Sequence, residues 1–203
     1  EIQVTSLYNP QRNSLGYYTS PEGYAEAAMS DSFVSEFIGE ESSYKYKNTD
    51  IRVSADMIAK KADSYGDNEA YYTQKYPGRD GQIYVNNPKV FRLSEIYLIA
   101  AEAALKTNNN PKAAKYIDDL RLHRIEGYVE GSTTAVTIDD ILTERRLELN
   151  GEGHMAWDMW RNEKSVNNPK VGEVKPGADN AVFPIPQANI NVAHGALKQN
   201  PGF

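Results

Sequence analysis

Apolar side chains between residues 91 and 124 recur with the period of an α-helix. Six of them fall at intervals of three and four and predict one helix face: Leu93, Ile96, Tyr97, Ala100, Ala101 and Ala104. Leu98 and Ile99 widen this arc, which indicates that the helix is covered on more than one side. Asn110-Pro111 predicts the start of a second helix, and residues 91–124 have about the length of one tetratricopeptide-like helix pair.

A third helix is predicted from Thr137, because Thr137 and Asp140 form a capping-box pattern with Asp in place of Glu. Its apolar face is expected to carry Ile138, Ile141, Leu142, Arg145 and Leu149.

Gly151 and Gly153 interrupt the helical pattern, and residues 154–161 predict a fourth helix. Residues 162–203 are rich in Pro and Asn. We expect them to form an irregular arm laid over the helices and anchored by Val182, Phe183 and Ile185.

The first ninety residues have a weaker pattern. Residues 2–7 suggest a short strand, Ser20-Pro21 predicts a helix over residues 22–37, and residues 41–90 suggest long loops with little regular structure. We therefore divide the chain into a loop-rich, tyrosine-rich, ligand-facing region at 1–89 and a helical scaffold with its arm at 90–203. The two form one folding unit, and the abrupt first residues suggest a piece of a longer protein.

Composition narrows the function classes. The 203 residues carry a net charge of -6 and contain no cysteine. The acidic balance argues against a nucleic-acid binder, which needs a clustered excess of Lys and Arg. The absence of cysteine excludes disulfides, Cys-based zinc sites and a Cys nucleophile. No nucleotide-binding, nucleophile-elbow or zinc-protease motif occurs, and we expect no cofactor and no metal.

The densest cluster of charged residues consists of Glu144, Arg145, Arg146, Glu148, Glu152, His154, Asp158 and Arg161. One interpretation pairs Glu148 or Glu152 as a general base with His154. A second uses His154 and Asp158, four residues apart, as metal ligands. A third is a structural ion-pair network that ties the third helix to the fourth. We favour the network, because such networks are common and no third metal ligand lies nearby in the sequence.

Two tryptophans in the predicted fourth helix also allow two interpretations. Trp157 and Trp160 would either stack on a sugar ring or base, or fill a hydrophobic core together with Met155 and Met159. We favour the core for Trp157, because large aromatic residues at helical spacing mostly fill interiors.

Tyrosine is unusually frequent, with 14 Tyr against 5 Phe and 2 Trp. Aromatic faces beside Asn, Asp and Ser side chains suit a saccharide or a peptide. The candidate ligand-binding residues are Tyr17, Tyr18, Tyr71, Tyr72 and Tyr76. In an extended chain one ring of each adjacent pair faces outward, and packing of the loops onto the helices is the competing role for any single ring.

Three segments together resemble the C-terminal half of the SusD/RagB family, surface nutrient-binding lipoproteins of the Bacteroidetes outer membrane. They are FRLSEIYLIAAEAAL at 91–105, ERRLELNGEGHMAWDMWR at 144–161 and VFPIPQANINVAHGALKQNPGF at 182–203. Asp50 and Arg52 are similar to a D-x-R element of the same family.

The resemblance implies a mainly α fold: a tetratricopeptide-like helical scaffold with long irregular loops that bind ligand and an irregular C-terminal arm. It implies a surface-exposed protein of the outer membrane, lipid-anchored through an N-terminal Cys that is not among these residues. Its partners would be a SusC/RagA-like TonB-dependent transporter, the N-terminal half of the same protein, and an oligosaccharide or peptide ligand. The motif residues would hold the helices together: Glu95, Glu102, Arg145, Arg146, Glu148, Gly153, Trp157 and Asp158.

The leading hypothesis is a non-enzymatic protein that captures oligosaccharides for the transporter. The alternatives are a RagB-like oligopeptide-binding protein, a tetratricopeptide-type scaffold for protein partners, and a hydrolase that uses the region of Glu148 and His154. The scaffold accounts for the helices but not for the tyrosine-rich loops, and the hydrolase accounts for neither.

Overall fold

The structure is a computed structural model that describes residues 14–62, 69–78, 85–87, 89–168 and 171–203. The chain divides into two compact units, Glu1–Glu152 and Gly153–Phe203. Helices are longer and more numerous than strands among the described elements, which confirms the mainly α class. Within those residues, no helix combines the length and the apolar character needed to cross a bilayer. The division between a ligand-facing region and a scaffold at residue 90 concerns function and stays a prediction, and the strand predicted at residues 2–7 lies outside the described residues.

The first unit contains five α-helices and one β-hairpin among its described residues. The elements are α1 (Leu15–Thr19), α2 (Asp31–Phe33, continued by a π-helical turn at Val34–Ile38), a 3₁₀ turn (Ile51–Val53), β1 (Ile58–Ala62), β2 (Glu69–Thr73), α3 (Leu93–Lys106), α4 (Asn110–Leu122) and α5 (Ile138–Glu148). The strands pair antiparallel, with Ile58 opposite Thr73 and Ala62 opposite Glu69.

The predicted helix pair exists, and α3 packs against both α4 and α5. This gives the tetratricopeptide-like hairpin its main core, formed by Leu98, Ala101, Ala104, Ala113, Ala114, Ile117, Leu120, Val136, Ile141 and Leu149. The predicted inner face of α3 was wrong in part, because Leu93 and Ile96 are exposed and Leu98 is fully buried. Periodicity located the helix, but an apolar arc this wide does not identify the side that faces α4.

The start of α5 confirms the predicted capping box. The Thr137 hydroxyl accepts a hydrogen bond from the backbone N–H of Asp140, whose carboxylate accepts one from the backbone N–H of Thr137. These two bonds satisfy two donors that the first helical turn leaves without partners.

Thr137→Ala is expected to lower the free energy of unfolding by about 1 kcal/mol, because the cap is lost while the rest of α5 is unchanged. Urea denaturation followed by circular dichroism measures this change. Thr134→Ala, at an exposed position before α5, is the matched control and should leave the midpoint unchanged. Equal losses in both variants would contradict the role of the cap.

A second, smaller core lies beneath the β-hairpin and α2. It contains Phe33, Phe37, Val53, Ile58 and Leu147. The helix predicted over residues 22–37 begins only at Asp31, capped by the Ser30 hydroxyl. Residues 20–24 turn back on α1 instead. The hairpin β1–β2 is regular structure that the loop prediction for residues 41–90 missed, because the sequence of β1, IAKKA, lacks a clear alternation of apolar and polar positions.

The second unit consists of short elements and irregular chain. Its described elements are α6 (Met155–Trp160), β3 (Val166–Asn168), β4 (Gly172–Val174), a 3₁₀ turn (Asp179–Ala181) and α7 (Gln187–Val192). Strands β3 and β4 pair antiparallel, and the Trp160 indole N–H donates to the Val174 carbonyl at 3.2 Å.

The predicted apolar anchor of the C-terminal arm was wrong for Phe183, which is 88% exposed, and for Val182, which is also exposed. Ile185 is half-buried. Polar side chains hold this segment instead. Gln199 bonds both the N–H and the C=O of Ile185, and the Asn200 amide donates to the Phe183 carbonyl at 2.8 Å.

Candidate functional site

Arg52 lies at the centre of a buried ion-pair cluster in the first unit. Its side chain is 4% exposed. Its Nη2 donates to Asp50 Oδ2 at 2.7 Å and its Nη1 to Glu144 Oε2 at 2.7 Å. Asp50 also accepts from the Tyr44 hydroxyl at 2.6 Å, and Glu144 also accepts from Arg121 Nε at 2.7 Å. The cluster therefore joins the 3₁₀ turn at residues 51–53 to α4 and α5.

The pKa directions agree with this geometry. Burial alone would lower the pKa of Arg52, but Glu144 and Asp50 outweigh it and raise the pKa above its ordinary value. Burial and the hydrogen bond to Asp50 raise the pKa of Tyr44. Arg52 is thus charged and Tyr44 neutral over the whole physiological range.

The Glu148 carboxylate accepts hydrogen bonds from two guanidinium groups. Arg92 Nη1 donates to its Oε1 at 2.6 Å, and Arg124 donates from Nε to Oε2 at 2.9 Å and from Nη2 to Oε1 at 3.0 Å. Burial works to raise the pKa of Glu148, but the hydrogen bonds from Arg124 and Arg92 outweigh it and hold the pKa at about 2. A general base needs a pKa near the operating pH and room for its substrate, so Glu148 does not fit that interpretation.

Lys75 fixes the segment after β2 to the end of α5. Its Nζ donates to Glu152 Oε1 at 2.7 Å and to the backbone carbonyls of Glu148 at 2.7 Å and Asn150 at 2.9 Å. Glu152 in addition accepts from Arg92 Nε at 3.0 Å and Nη2 at 2.8 Å. All three donors of the ammonium group are therefore used within the protein.

Burial also affects the pKa values of Lys75 and Glu152. It lowers the pKa of Lys75, although Glu152 acts in the opposite direction. It works to raise the pKa of Glu152, but the bonds from Arg92 and Lys75 outweigh it and hold that pKa below its usual range.

The predicted structural network therefore exists around Glu144 and Glu148, with a correction to its partners. We expected the network to connect the third helix to the fourth. The observed partners of Glu144 and Glu148 instead come from segments that precede α5 in the sequence. Glu144 and Glu148 are four residues apart and lie on one face of α5, and that face meets residues 52, 92, 121 and 124.

In the alternative metal interpretation His154 and Asp158 would be the ligands, but Asp158 forms an ion pair in the structure. Asp158 Oδ1 accepts from Arg161 Nη2 at 2.8 Å. Across the described ranges, no group of three or more His, Asp or Glu residues is placed to hold a metal ion.

The candidate tyrosines fall into two groups. The first is on and beside α1, where the Tyr24 ring packs edge-on against Tyr17 with centroids 4.9 Å apart and, in a tilted arrangement, against Tyr18 at 5.3 Å. Gly23 makes this close approach possible, because a Cβ there would lie 2.1 Å from the Tyr17 carbonyl oxygen. Tyr18 is exposed, so this group presents one open aromatic edge.

The second group consists of Tyr71 and Tyr72 in β2 and Tyr76 shortly after it. Tyr72 is 3% exposed and belongs to the core, so it drops out of the ligand-binding set. Tyr71 is half-buried and packs against the second core. Tyr76 is the ring that faces a cleft. As expected for a strand, Tyr71 and Tyr72 lie on opposite faces of β2, but both faces are covered, since Tyr71 packs against the second core and Tyr72 is buried.

The cleft beside Tyr76 has a volume of about 350 Å³, which is within the range of small-ligand sites. The residues that line it are Met57, Gln74, Lys75, Tyr76, Pro77, Asn86, Asn87, Lys89, Arg92 and Glu152. An aromatic ring, three amide side chains and an exposed ammonium group thus surround one space.

Hydrogen bonds fix the walls of this cleft. The Tyr76 hydroxyl donates to the Gly151 carbonyl at 3.1 Å, and burial together with the nearby Glu152 raises the pKa of Tyr76 to about 12. Asn86 accepts from the Gly78 N–H at 3.0 Å and donates to the Tyr76 carbonyl at 3.3 Å. The phenol is therefore neutral, and Tyr76 is held by its hydroxyl at Gly151 and by its backbone carbonyl at Asn86.

Sequence reasoning named Tyr76 as a candidate, and its role in ligand binding stays a prediction; the residues that surround it in the cleft were mostly missed. Arg92 could have been identified from the sequence, because it lies inside the motif segment at residues 91–105. Lys75 and Asn86 carried no such signal, since an isolated Lys or Asn in a loop does not reveal which distant carbonyl it will meet.

The structure also corrects the position of Trp157. Its ring is 61% exposed, not in a core. It packs edge-on against Trp160, with ring centroids 5.5 Å apart. Helical spacing alone could not separate the covered ring from the open one in a helix of six residues.

The geometry defines a helical-repeat scaffold that presents a cleft on irregular segments. The model of the SusD family matches residues 77–203, more than half of the chain. The chain therefore belongs to the SusD family.

Relatives with known sequence or structure agree with this placement. The SusD-like protein P38 of Formosa agariphila is 34% identical over 86 residues, which are 38% of this chain and 17% of P38. A putative sugar binding protein from Bacteroides vulgatus has a solved structure that is similar at a TM-score of 0.78 and 31% identity. A SusD superfamily protein from the same species is similar at 0.74 and 27%. Both structural matches cover 100% of this chain and 45% of the solved one, so the chain spans less than half of these relatives.

Proposed function

We propose that the protein is a non-enzymatic, surface nutrient-binding protein that captures oligosaccharides. In this proposal it is lipid-anchored in the outer membrane through a cysteine outside these residues, and it passes its ligand to a SusC-like TonB-dependent transporter. Family membership supports the class of protein. The observation that carries the ligand class is the cleft beside Tyr76.

Tyr76 offers what a sugar ring requires. Its neutral ring provides an apolar face for the C–H surface of a pyranose, and Gln74 and Lys89, which line the same cleft, supply hydrogen-bonding groups for hydroxyls. Lys75 and Arg92 already use their donors on Glu148, Glu152 and backbone carbonyls, so they would donate to a ligand only if one of these bonds broke.

The charge state of the cleft supports binding rather than hydrolysis. A glycosidase uses two carboxyl groups, one of them protonated through a raised pKa. Among the described residues that line the cleft, Glu152 is the one carboxylate, and Arg92 and Lys75 hold its pKa below the usual range.

The name of one solved relative also supports a sugar ligand. The solved protein from Bacteroides vulgatus that matches this whole chain is described as a putative sugar binding protein. Modest affinity is expected, because a nutrient held too tightly would not be released to a transporter.

Isothermal titration of the full-length protein with a panel of oligosaccharides and oligopeptides tests the proposal. We expect heat with one or more oligosaccharides. Tyr76→Ala should then weaken binding about tenfold, since the loss of a stacked ring costs on the order of 1.4 kcal/mol. Tyr76→Phe is the matched control, because it keeps the ring and removes only the bond to Gly151, and it should bind nearly as well as the parent.

Tyr18→Ala separates the two aromatic groups. A loss of affinity in this variant, with none in Tyr76→Ala, would move the ligand to the tyrosines beside α1. Heat with oligopeptides alone would identify a RagB-like ligand class and sink the oligosaccharide proposal. Silence with the entire panel would favour a scaffold for protein partners.

A further inference from the structure

The cleft beside Tyr76 has a charge opposite in sign to that of the chain as a whole. Three cationic side chains line it, those of Lys75, Lys89 and Arg92. Among the described lining residues, Glu152 is the one anion. The whole chain carries a net charge of -6, so this excess of positive charge is local. A cleft with low-dielectric walls concentrates such a field and attracts anions.

Glu152 is already neutralised by the protein's own cations. It accepts from Lys75 at 2.7 Å and from Arg92 at 3.0 and 2.8 Å. Burial works to raise its pKa, but these bonds outweigh it and hold the pKa below the usual range. Arg92 also binds Glu148, which is paired in addition with Arg124. Three cations thus meet two carboxylates in this network, so it does not repel an incoming anion.

Lys89 is the cation that remains available to a ligand. It is exposed at the cleft, whereas the side chains of Lys75 and Arg92 are only 15% and 22% exposed. Between the residues that the structure describes, no hydrogen bond or ion pair occupies the Lys89 ammonium group. Its three N–H donors can therefore all be directed to a ligand.

The charge of Lys89 decides which saccharide suits the cleft. A ligand that covers the ammonium group removes water from it, and burial of an uncompensated charge is costly. The hydroxyls of a neutral sugar replace only part of that hydration. A carboxylate or sulfate oxygen replaces it with a charge-assisted hydrogen bond, which is about twice as strong as a neutral one.

We propose that the cleft takes an oligosaccharide with an anionic substituent, a carboxylate or a sulfate ester, which binds Lys89 while Tyr76 stacks against a sugar ring. This inference rests on the proposed function and names the class of saccharide for the same site. It excludes amino sugars, because their ammonium groups would meet an excess of like charge. An acidic oligopeptide shares the negative charge but lacks the C–H face of a pyranose, so the saccharide fits Tyr76 better.

Isothermal titration of the full-length protein with matched ligands tests this preference. Tetragalacturonate and its methyl ester have the same sugar rings, but only the acid is charged. A sulfated galactan tetrasaccharide and its desulfated form are the second pair. We expect the charged member of one pair to bind about tenfold more tightly than its neutral counterpart, and that pair identifies carboxylate or sulfate. The preference should shrink when the salt concentration rises from about 50 to about 500 mM, because ions screen the attraction.

Variants of Lys89 assign the preference to its ammonium group. Lys89→Met should weaken binding of the charged ligand about tenfold and leave the neutral counterpart within about twofold of the parent. Lys89→Arg keeps the charge and should retain most of the preference. Lys112→Met is the matched control, because it removes an equal charge from an exposed position in the first turn of α4 that does not line the cleft. It should leave the affinity for both ligands unchanged.

The outcomes that would overturn this inference are distinct from failure of the proposed function. Charged saccharides that bind no more tightly than their neutral counterparts, or equal losses in Lys89→Met and Lys112→Met, would overturn the anionic preference and leave the capture of sugars intact. Tighter binding of tetraglutamate than of every saccharide would overturn it in favour of an acidic peptide. Silence with all charged and neutral saccharides would contradict the proposed function and this inference together.

Discussion

Arg52→Met is expected to destabilise the protein by about 3–5 kcal/mol, because removal of one partner leaves buried carboxylates without compensation. Asp50 and Glu144 are almost fully buried and each lies 2.7 Å from the guanidinium. Glu148 lies 3.8 Å from it, so three acidic groups lose a shared cation. Urea denaturation of the full-length protein at neutral pH measures the loss.

Two further variants make the result specific. Arg52→Lys keeps a charge but cannot reach Asp50 and Glu144 with the same fork geometry, so we expect an intermediate loss. Lys60→Met breaks the ion pair with Glu69 on the exposed hairpin and should leave the midpoint unchanged. If Arg52→Met unfolds at the same urea concentration as the parent, the cluster is not what holds residues 50–53 to α5.

Acid is expected to destabilise the protein through Glu148. Its pKa is about 2 in the folded state against an ordinary value of 4.5, so the folded state favours the charged form. A depressed pKa contributes stability that is complete above pH 4.5 and is lost as the pH falls toward 2. The contribution of Glu148 is about 3 kcal/mol.

The free energy of unfolding, measured by urea at a series of pH values from 6 to 2, checks this dependence. Glu148→Gln should be less stable than the parent at pH 6 and should lose less stability on acidification. Glu126→Gln, at an exposed position, should follow the parent at every pH. Parallel curves for Glu148→Gln and the parent would show that Glu148 does not report the acid dependence.

The sequence predicted the elements whose cause is local. The capping box at Thr137 was identified because its two bonds join residues three apart. The helices after residue 90 were identified because their apolar side chains repeat at the helical period. Predictions that depended on a choice between two faces were less successful, as for the inner side of α3 and the placement of Trp157.

In the candidate site, too, some features were predicted from the sequence and others were decided by packing. The frequency of tyrosine pointed to aromatic recognition, and Tyr76 lies on a cleft. Tyr72 looked equivalent in sequence but is buried. The pairing of β2 with β1 and the packing of the chain on both faces of the hairpin decide that Tyr71 is half-buried and Tyr72 fully buried.

By itself, the sequence determined the positions of the main helices, the charged motif of α5 and the resemblance to a family of nutrient-binding proteins. Only the tertiary structure decided that Arg52 meets Glu144 from 92 positions away and that Tyr76 meets Gly151 from 75 positions away. The physical reason is that helical period and capping are properties of neighbouring residues. A buried charge or a cleft wall is instead completed by whichever distant segment the packed chain brings to it.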